Sequence, residues 1–539
     1  MNLLKQEWIS VLLRNGTREV VSVAALGREN IVDITAPRAD FRGALYQFLI
    51  GLLQTAFAPE SLREWRQWWR APPDAETLEQ AIVPFIPAFN LFSSVGEPAF
   101  MQDLSMEKGE RKDKDRKDIV ALLLEAPGDK TLRENHDHFI KRGNIRKLSP
   151  EAAALALFTL QINAPSGGAG HRVSVRGGGP LTTLVLPPEN NEKDCLWRRL
   201  WLNVLTQDEL AQLPGNHQDA SPERIFPWMA PPRTSEKAGM ETYPEHVHPL
   251  QVYWSMPRRM RLQLLNQTGH CDLTGQPTPS LVEHYRTRNY GTNYAGHWQH
   301  PLTPYVLEGD KEPLSIKAQP GGLGYRHWLG LAVAARQGKS DRTPALVVRC
   351  YGDRQGRVPE LDFNPRLWAF GYDMDNMKAR CWYEAEMPLF NLDQEAREDV
   401  ADQAQKMIEA ATDVLKTLKS TLKSAWFGRP KDAKGDMSFI DANFWSTTEV
   451  PFYHLLQQLV VDKSNGDRNA VKNDEDSMDE PLKEWARTLK RKAQELFDQY
   501  ALSSLNEDGD LKRVVKARDG KGGLNHSLNS SRALKNLAA

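Results

Sequence analysis

The feature that most constrains the fold is a long, nearly unbroken run of apolar residues at helical spacing in the last third of the chain. Apolar side chains with a period of 3.6 residues form one stripe along an α-helix, and partner helices must cover that stripe. Three further helical stretches follow, at 440–461, at 481–500 and in a terminal pair at 508–517 and 527–537. We therefore predict a C-terminal four-helix bundle over residues 388–539. The stripe lies within residues 392–426 and consists of Val400, Ala404, Met407, Ile408, Ala411, Val414, Leu415, Leu418 and Leu422.

The residues that precede this region show a mixture of helical and strand patterns. Apolar residues recur at helical spacing in 41–56 and 150–161, whereas 181–186 is one of several short apolar runs bounded by turn formers. Runs of this second kind are typical of β-strands. We predict an α+β fold in which a large mixed N-terminal domain, residues 1–387, is followed by the C-terminal four-helix bundle, residues 388–539.

Composition and charge restrict where the protein works and how it binds. The sequence has 69 lysines and arginines against 70 aspartates and glutamates, so any binding to nucleic acid must depend on local basic patches. No apolar run approaches the ~18 residues of a membrane span. Lys5, Glu7 and Arg14 interrupt the region where a signal peptide needs apolar residues. The four cysteines never form a C-x-x-C pair. We expect a cytoplasmic protein without membrane partners and without a disulfide framework.

Two glycine-rich runs follow the apolar helical pattern at 150–161. The first is Ser166-Gly167-Gly168-Ala169-Gly170, and the second, Gly177-Gly178-Gly179, precedes the strand pattern at 181–186. The first run is not a phosphate-binding P-loop, because it lacks the Gly-Lys-Ser/Thr and the following helix that such a loop requires. Small residues do allow the backbone to approach another surface closely, including a DNA minor groove. An ordinary connecting loop is the alternative.

Two further segments combine residues suited to nucleic acid. Basic and aromatic residues are interleaved in 284–290, where Arg286 and Arg288 could enter a narrow minor groove. In 371–378, turn formers follow an apolar run, which predicts a hairpin whose tip contains Asn376, Met377 and Lys378. A protruding hairpin can wedge apart a base step, and an asparagine can contact a base edge. The alternatives are an exposed strand with alternating faces and a simple surface hairpin.

A metal-dependent enzyme is the main rival interpretation. It would be a nuclease or phosphohydrolase that uses His136, Asp137 and His138, with Asp373 or Asp375 as further ligands. Residues two apart do not share a face of a helix. A two-metal site also needs several carboxylates that converge on the ions, and nothing in the sequence fixes such convergence.

Two other segments carry weaker signals. The turn Cys271-Asp-Leu-Thr-Gly resembles a zinc knuckle, but Thr274 stands where the second thiolate is required. The mixed-charge run at 106–117 has almost nothing to bury and predicts a solvated loop. We therefore expect no catalytic residue, no bound metal and no other cofactor.

Short motifs that occur in order along most of the chain resemble one family. They are Met1 to Trp8, Glu97-Pro-Ala-Phe-Met-Gln, Asn163-Ala-Pro with the glycine run, Arg176-Gly-Gly-Gly-Pro-Leu-Thr-Thr, Leu202-Asn-Val-Leu-Thr, Trp254-Ser-Met-Pro-Arg-Arg, Cys271-Asp-Leu-Thr-Gly, Gly322-Leu-Gly-Tyr-Arg-His-Trp and Phe370-Gly-Tyr-Asp-Met-Asp-Asn. No single motif is decisive, but the ordered set is specific. The chain resembles the large subunit, the CasA family, of the type I-E CRISPR Cascade surveillance complex.

The resemblance implies a fold, a set of partners and a non-catalytic role. The fold is again a mixed N-terminal domain joined to a C-terminal four-helix bundle. The implied partners are the guide RNA (crRNA), double-stranded target DNA and its displaced strand, the other Cascade subunits and a recruited helicase-nuclease, all in antiviral defence. The loop at 135–143 would dock on the 5′ handle of the guide RNA, and its candidate contacts are Asn135, His136, His138, Lys141 and Arg142.

The resemblance also implies the DNA contacts. The loop Ser166-Gly167-Gly168-Ala169 would read the protospacer-adjacent motif (PAM) from the minor groove, assisted by Arg286 or Arg288. Asn376, Met377 and Lys378 would wedge apart the first target base pairs to start an R-loop. Two departures matter: Met377 or Lys378 stands where some family members have a glutamine, and Ser166 and Ala169 stand where glycine can occur.

Overall fold

The computed structural model describes residues 1–94, 96–107, 115–128, 143–168, 170–189, 194–375, 378–392, 394–432, 434–466, 475–503 and 510–538. The chain forms two compact units. The first comprises Met1–Ala318 and Gln337–Glu384, and the second comprises Gln319–Arg336 and Ala385–Ala539. None of the described helices is long and apolar enough to cross a membrane.

Two buried helices form the core of the first unit. They are α1 (Ala39–Ala56) and α4 (Pro150–Asn163), and they pack against each other. Phe48 of α1 lies at the centre of the core, with its ring centroid 5.6–5.9 Å from those of Trp8, Phe89, Phe100, Phe158 and Trp254. The other helices of this unit are α2 (Leu62–Arg70), α3 (Ala75–Ile82), α5 (Leu196–Trp201), α6 (Gln207–Leu210), α7 (Pro222–Ile225) and α8 (Leu346–Gln355).

The strands form several small sheets rather than one large sheet. In chain order they are β1 (Ile9–Leu13), β2 (Arg18–Val21), β3 (Ile31–Ile34), β4 (Arg116–Asp118), β5 (Thr182–Leu186), β6 (Arg259–Leu265), β7 (Gly269–His270), β8 (Pro277–Thr278), β9 (Leu281–Arg288), β10 (Tyr305–Leu307), β11 (Leu314–Ser315), β12 (Ala335–Gln337), β13 (Ser340–Thr343), β14 (Arg366–Asp375) and β15 (Lys378–Pro388). Two sheets carry residues that the sequence analysis proposed as DNA contacts, and their strand orders are β4-β9-β6 and β15-β14-β5.

Three long helices dominate the second unit. They are α9 (Gln394–Trp426), α10 (Ser438–Gly466) and α11 (Glu475–Ser503), and each packs on the other two. The short helices α12 (Leu511–Asp519), α13 (Leu524–Ser530) and α14 (Arg532–Ala538) pack on α9 and α11 and supply the fourth helical layer. Trp485 of α11 is fully buried, and its indole N–H donates to the carbonyl of Met407 at 2.9 Å.

A segment from the middle of the chain belongs to the second unit. Residues 319–336 precede the long helices in sequence, but Tyr325 is fully buried among their side chains. Its ring stacks on Phe452 at 4.3 Å, and its hydroxyl lies 2.9 Å from that of Thr448. An aromatic side chain buried to this extent ties its segment to the helices, which explains why this stretch groups with them.

The predicted α+β fold with a helical C-terminal region is confirmed. The helix expected at 41–56 begins at Ala39, and the long helix expected at 392–426 begins at Gln394. The mixed-charge run at 106–117 was predicted to be a solvated loop, and this was wrong at its end, where β4 pairs with β9. All three residues of β4 are exposed, so backbone hydrogen bonds and surface contacts such as that of Arg116 with His284 form this edge strand, and no apolar pattern marks it.

Candidate nucleic-acid interface

The two glycine runs belong to one closed loop, which we call the glycine segment (residues 164–179). It begins where α4 ends, since Pro165 cannot continue the helix. The N–H of Ser174 donates to the carbonyl of Ala164 at 3.0 Å, and the N–H of Gly179 donates to that of Asn163 at 3.2 Å. These bonds bring the two ends of the segment together at the end of a buried helix.

Glycine is favoured at three positions of the first run, but for different reasons. A Cβ at Gly167 would lie 2.8 Å from a guanidinium nitrogen of Arg258, and one at Gly170 would lie 2.9 Å from the backbone nitrogen of Tyr290. Gly168 has a φ of +87° and nothing within 4 Å of a Cβ. Gly168 is therefore the point at which the backbone faces open space. Ala169, one of the predicted DNA contacts, lies outside the described residues.

The second glycine run packs against the strand that leads to the predicted hairpin tip. A Cβ at Gly179 would overlap Cγ of Met374, and one at Gly178 would lie 2.9 Å from Cα of Pro165. Met374 is the penultimate residue of β14. Only glycine allows this approach, and it joins the glycine segment directly to the base of the tip.

Strands β14 and β15 form the predicted hairpin, on either side of residues 376 and 377. Asn376 and Met377 lie outside the described residues, whereas Lys378 is the exposed first residue of β15. Arg380 donates to Asp373 at 2.7 Å across the hairpin. Nearer its base, the ring of Trp382 packs on that of Tyr372 at 4.9 Å. The two strands are thus joined by an ion pair and an aromatic contact.

The sheet β4-β9-β6 carries opposed arginines. Arg116, Arg286 and Arg261 are cross-strand partners, and we call them the arginine row. Arg288 faces Arg259 in the next register position. Directly opposed residues share one face of a sheet, where like charges repel each other. Arg259 is neutralised by Asp103 at 2.7 Å, and Arg261 is buried. The accessible positive charge of the row therefore lies on Arg116 and Arg286, which suit a phosphate backbone.

Two cations that the sequence analysis did not assign, Arg258 and Lys117, act on the glycine segment. Arg258 donates to the carbonyl of Pro165, and burial lowers the pKa of Arg258 to about 10. Burial, Arg258 and Lys117 together lower the pKa of His171 below its usual value. Lys117 is the cross-strand partner of Tyr285, so it lies on the sheet face opposite to the arginine row. The motif Trp254-Ser-Met-Pro-Arg-Arg contains Arg258, but no local pattern reveals its contact with the loop.

A buried arginine fixes the second half of the glycine segment. The guanidinium of Arg176 donates to Gln47 at 2.8 Å, to Thr182 at 3.0 Å and to Thr303 at 3.1 Å. These acceptors are neutral, and burial lowers the pKa of Arg176 to about 10. The contacts connect the glycine segment with α1 and β5, which gives the loop a rigid base.

The proposed guide-RNA contacts Asn135, His136, His138, Lys141 and Arg142 lie outside the described residues, as does Asp137. The residues that follow, Arg146 and Lys147, are held by hydrogen bonds to Asp272.

The carboxylate of Asp272 accepts from the backbone N–H groups of Arg146 and Lys147, at 2.7 and 3.0 Å. Asp272 lies in the knuckle-like turn, which is closed by a hydrogen bond from the Gly275 N–H to the Cys271 carbonyl at 2.8 Å. Across the described residues, no three histidine, cysteine, aspartate or glutamate side chains are grouped so as to hold a metal ion.

Several solved structures with the same fold are Cse1 or CasA proteins. Thermobifida fusca Cse1 superposes with a TM-score of 0.67 and 17% sequence identity, over 100% of this chain and 97% of that chain. Cse1 from Acidimicrobium ferrooxidans gives 0.66 and 16%, over 100% and 99%. CasA from Thermus thermophilus gives 0.65 and 18%, over 98% and 100%. The fold is therefore that of the CasA and Cse1 proteins.

A sequence model of the family described as CRISPR-associated protein Cse1 matches residues 2–496. The chain belongs to the Cse1 family, the large subunits of type I-E CRISPR surveillance complexes. The family expected from the ordered motifs is thus confirmed.

Proposed function

We propose that this chain is the DNA-sensing, non-catalytic subunit of its complex: it recognises the PAM in double-stranded DNA and wedges open the adjacent base pairs to start an R-loop. The observation that carries the proposal is the close packing of Gly179 on Met374, which joins the glycine segment to the hairpin beside its tip. A loop that grips a duplex and a hairpin that opens it must act on neighbouring base pairs. A rigid connection between the glycine segment and the hairpin would keep them at neighbouring base pairs.

Recognition through the glycine segment would be permissive. Gly168 is exposed, and the open space beside it supports close approach of its backbone to a minor groove. That groove mainly distinguishes A·T from G·C pairs, so several related motifs should be accepted. Ser166, Gly167 and Ala169 would complete this contact. Arg286 and Arg288 would assist it by binding the adjacent phosphates or by entering the groove.

Opening of the duplex would depend on the hairpin tip. A guide RNA–DNA duplex is about as stable as the DNA duplex that it replaces, so initiation is the slow step. Insertion of side chains at a base step costs a few kcal/mol of unstacking, which contacts with the opened duplex offset. Asn376, Met377 and Lys378 would supply the inserted side chains and a contact to a base edge.

The proposed partners are those of a Cascade complex. Asn135, His136, His138, Lys141 and Arg142 would contact the 5′ handle of the guide RNA. A structure described as a CRISPR RNA-guided surveillance complex has the same fold, with a TM-score of 0.62 at 15% identity over 100% of this chain and 99% of that chain, and supports this assembly.

Partners that act after the duplex opens would use the second unit. The exposed arginines Arg487 and Arg491 on α11 would help to track the displaced single strand. Because this subunit is proposed to cut no nucleic acid itself, a helicase-nuclease would be recruited once the R-loop has formed. The ion pair between Asp373 and Arg380 supports a non-catalytic role. The carboxylate of Asp373, a candidate metal ligand of the rival enzyme, already has a cationic partner.

We expect duplex opening to require both the PAM and this chain. Complexes with and without the chain would be loaded with guide RNA and mixed with duplexes that carry a fluorescent base analogue beside an intact or scrambled PAM. Fluorescence should rise only for the complete complex with the intact PAM, and no cut products should form with Mg²⁺ or Mn²⁺. Equal opening without the PAM would refute the sensor, and metal-dependent cutting by the chain alone would favour the enzyme that uses His136, Asp137 and His138.

A further inference from the structure

An exposed tyrosine stands beside the glycine segment in an unusual backbone conformation. Tyr290 has a φ of +61°, in the left-handed region that bulky side chains rarely adopt. Among the described residues other than glycine, Met101 is the second example, with a φ of +52°. Met101 is fully buried, whereas Tyr290 is 40% exposed. Burial therefore offsets less of the strain at Tyr290, and strain of this kind concentrates at functional sites.

The backbone at Tyr290 is held by hydrogen bonds that do not involve its ring. Its N–H donates to the carbonyl of Gly170 at 2.7 Å, and its carbonyl accepts from the N–H of Ser235 at 3.1 Å. The hydroxyl of Ser235 donates to the carbonyl of Gly291 at 2.7 Å and accepts from Nε of Arg172 at 2.8 Å. Since Arg172 belongs to the glycine segment, these bonds join residues 290 and 291 to that segment. Any residue that tolerates a left-handed φ could make the same bonds at position 290.

The ring of Tyr290 lies on the glycine segment. A Cβ at Gly170 would lie 3.0 Å from Cδ1 of this ring, so the ring packs on a face that glycine leaves open. Gly168, where the backbone faces open space, is only two residues away from Gly170. On its other side, Tyr290 follows two residues after Arg288, the last residue of β9. Tyr290 therefore connects the glycine segment with the strand that carries Arg286 and Arg288.

An exposed aromatic ring at this position suits the sugar of a DNA backbone. The arginines of β9 suit phosphates, and the glycine segment is proposed to approach the minor groove. Deoxyribose rings form the walls of that groove and present apolar C–H groups. A tyrosine ring offers a large contact area at a low cost in conformational entropy, because its side chain has only two torsions. Contact with a sugar carries no sequence information, so it adds affinity without restricting the motif.

We propose that Tyr290 is a further DNA contact, whose ring packs on a deoxyribose at the edge of the minor groove that the glycine segment approaches. This inference rests on the proposed function, because it takes the glycine segment as the duplex contact. The ring makes the contact, and the phenolic hydroxyl is not needed for it. The left-handed backbone then holds the ring on the outside of the glycine segment, where a duplex can reach it.

Replacement of Tyr290 with asparagine separates binding from stability. Tyr290→Asn removes the ring, and asparagine tolerates a left-handed φ. In the guide-loaded complex, this variant should bind PAM-containing duplex at least about fivefold more weakly, as expected for an aromatic interface contact. The Tm of the chain should not fall, because relief of strain offsets the lost contact with Gly170. Tyr290→Phe keeps the ring and should bind within about twofold of the unaltered chain. Fluorescence anisotropy and thermal melting measure the two quantities.

Tyr243→Asn is the matched control. Tyr243 belongs to the same unit and is 37% exposed, and its ring lies 2.9 Å from a Cβ at Gly296. Its own φ of −98° is unstrained, so asparagine there relieves nothing. This variant should melt at a lower temperature and bind duplex normally. The proposal is overturned if Tyr290→Asn binds as tightly as Tyr243→Asn, or if it melts as low, since the ring would then have a structural role.

Salt dependence and a scrambled PAM complete the test. The loss in Tyr290→Asn should be equal at about 50 and about 200 mM salt, because no ionic contact is removed. A loss that disappears at the higher salt concentration would overturn the proposal. Failure of the unaltered complex to prefer the intact PAM would refute the proposed function. Normal binding by Tyr290→Asn in a complex that does prefer the intact PAM would refute only the contact at Tyr290.

Discussion

A Gly168→Leu variant of the assembled complex should bind PAM-containing duplex at least about tenfold more weakly, a loss of about 1.4 kcal/mol. The fold should survive, since nothing lies within 4 Å of a Cβ at this position. The left-handed φ of +87° adds strain of about 1–2 kcal/mol for a leucine. A leucine side chain would fill the space through which we propose that the backbone approaches the minor groove. Binding would be measured by fluorescence anisotropy with intact and scrambled PAM.

Gly16→Leu controls for strain alone. Gly16 has a φ of +84°, open space around a Cβ and a position in the turn between β1 and β2. Its variant should lose a similar amount of stability and bind PAM-containing duplex normally. If the two variants bound alike, the glycine segment would not be the duplex contact.

Replacing Asn376, Met377 and Lys378 together with glycine should slow duplex opening by at least about tenfold while PAM binding changes by less than about twofold. The physical reason is that contacts between the inserted side chains and the opened duplex offset the few kcal/mol needed to unstack a base step. The variant should still bind the PAM, because the glycine segment is unaltered. Stopped-flow fluorescence of a base analogue beside the PAM would give the rate of opening.

The turn between β10 and β11 provides the control for this triple variant. Replacing Asp310 and Lys311 with glycine shortens exposed side chains in a turn of the same unit, outside the hairpin. This control should open DNA at the normal rate. An unchanged rate in the triple variant would mean that the hairpin tip is not the wedge.

Local sequence patterns were sufficient for two of the long helices and for one hairpin. The apolar periods at 41–56 and 392–426 predicted α1 and α9 to within two residues at their first positions, because helical periodicity is written in neighbouring residues. The turn formers at 371–378 likewise predicted the hairpin formed by β14 and β15. Strand β4 was not predicted, because it is defined by its pairing with β9 and not by a local pattern.

Contacts between distant residues could not be predicted. Gly179 packs on Met374, almost 200 residues further along the chain, and no spacing rule connects the two. The contacts of Asp40 could not be predicted either. Its position suggests a cap for the helix that follows, but its carboxylate accepts hydrogen bonds from Arg38 and Tyr372. The site residues named from the sequence remain predictions, and the structure adds Arg258 and Lys117 beside them.

The measurement that tests the central claim most directly is DNA cleavage by an iron chelate tethered to the native Cys381. This thiol is exposed on the hairpin, three residues from Lys378, so radicals released there report which base pairs the hairpin contacts. We predict cuts confined to the first target base pairs beside the PAM, and their loss when the PAM is scrambled. Cuts at the far end of the target, or a pattern that ignores the PAM, would contradict the account.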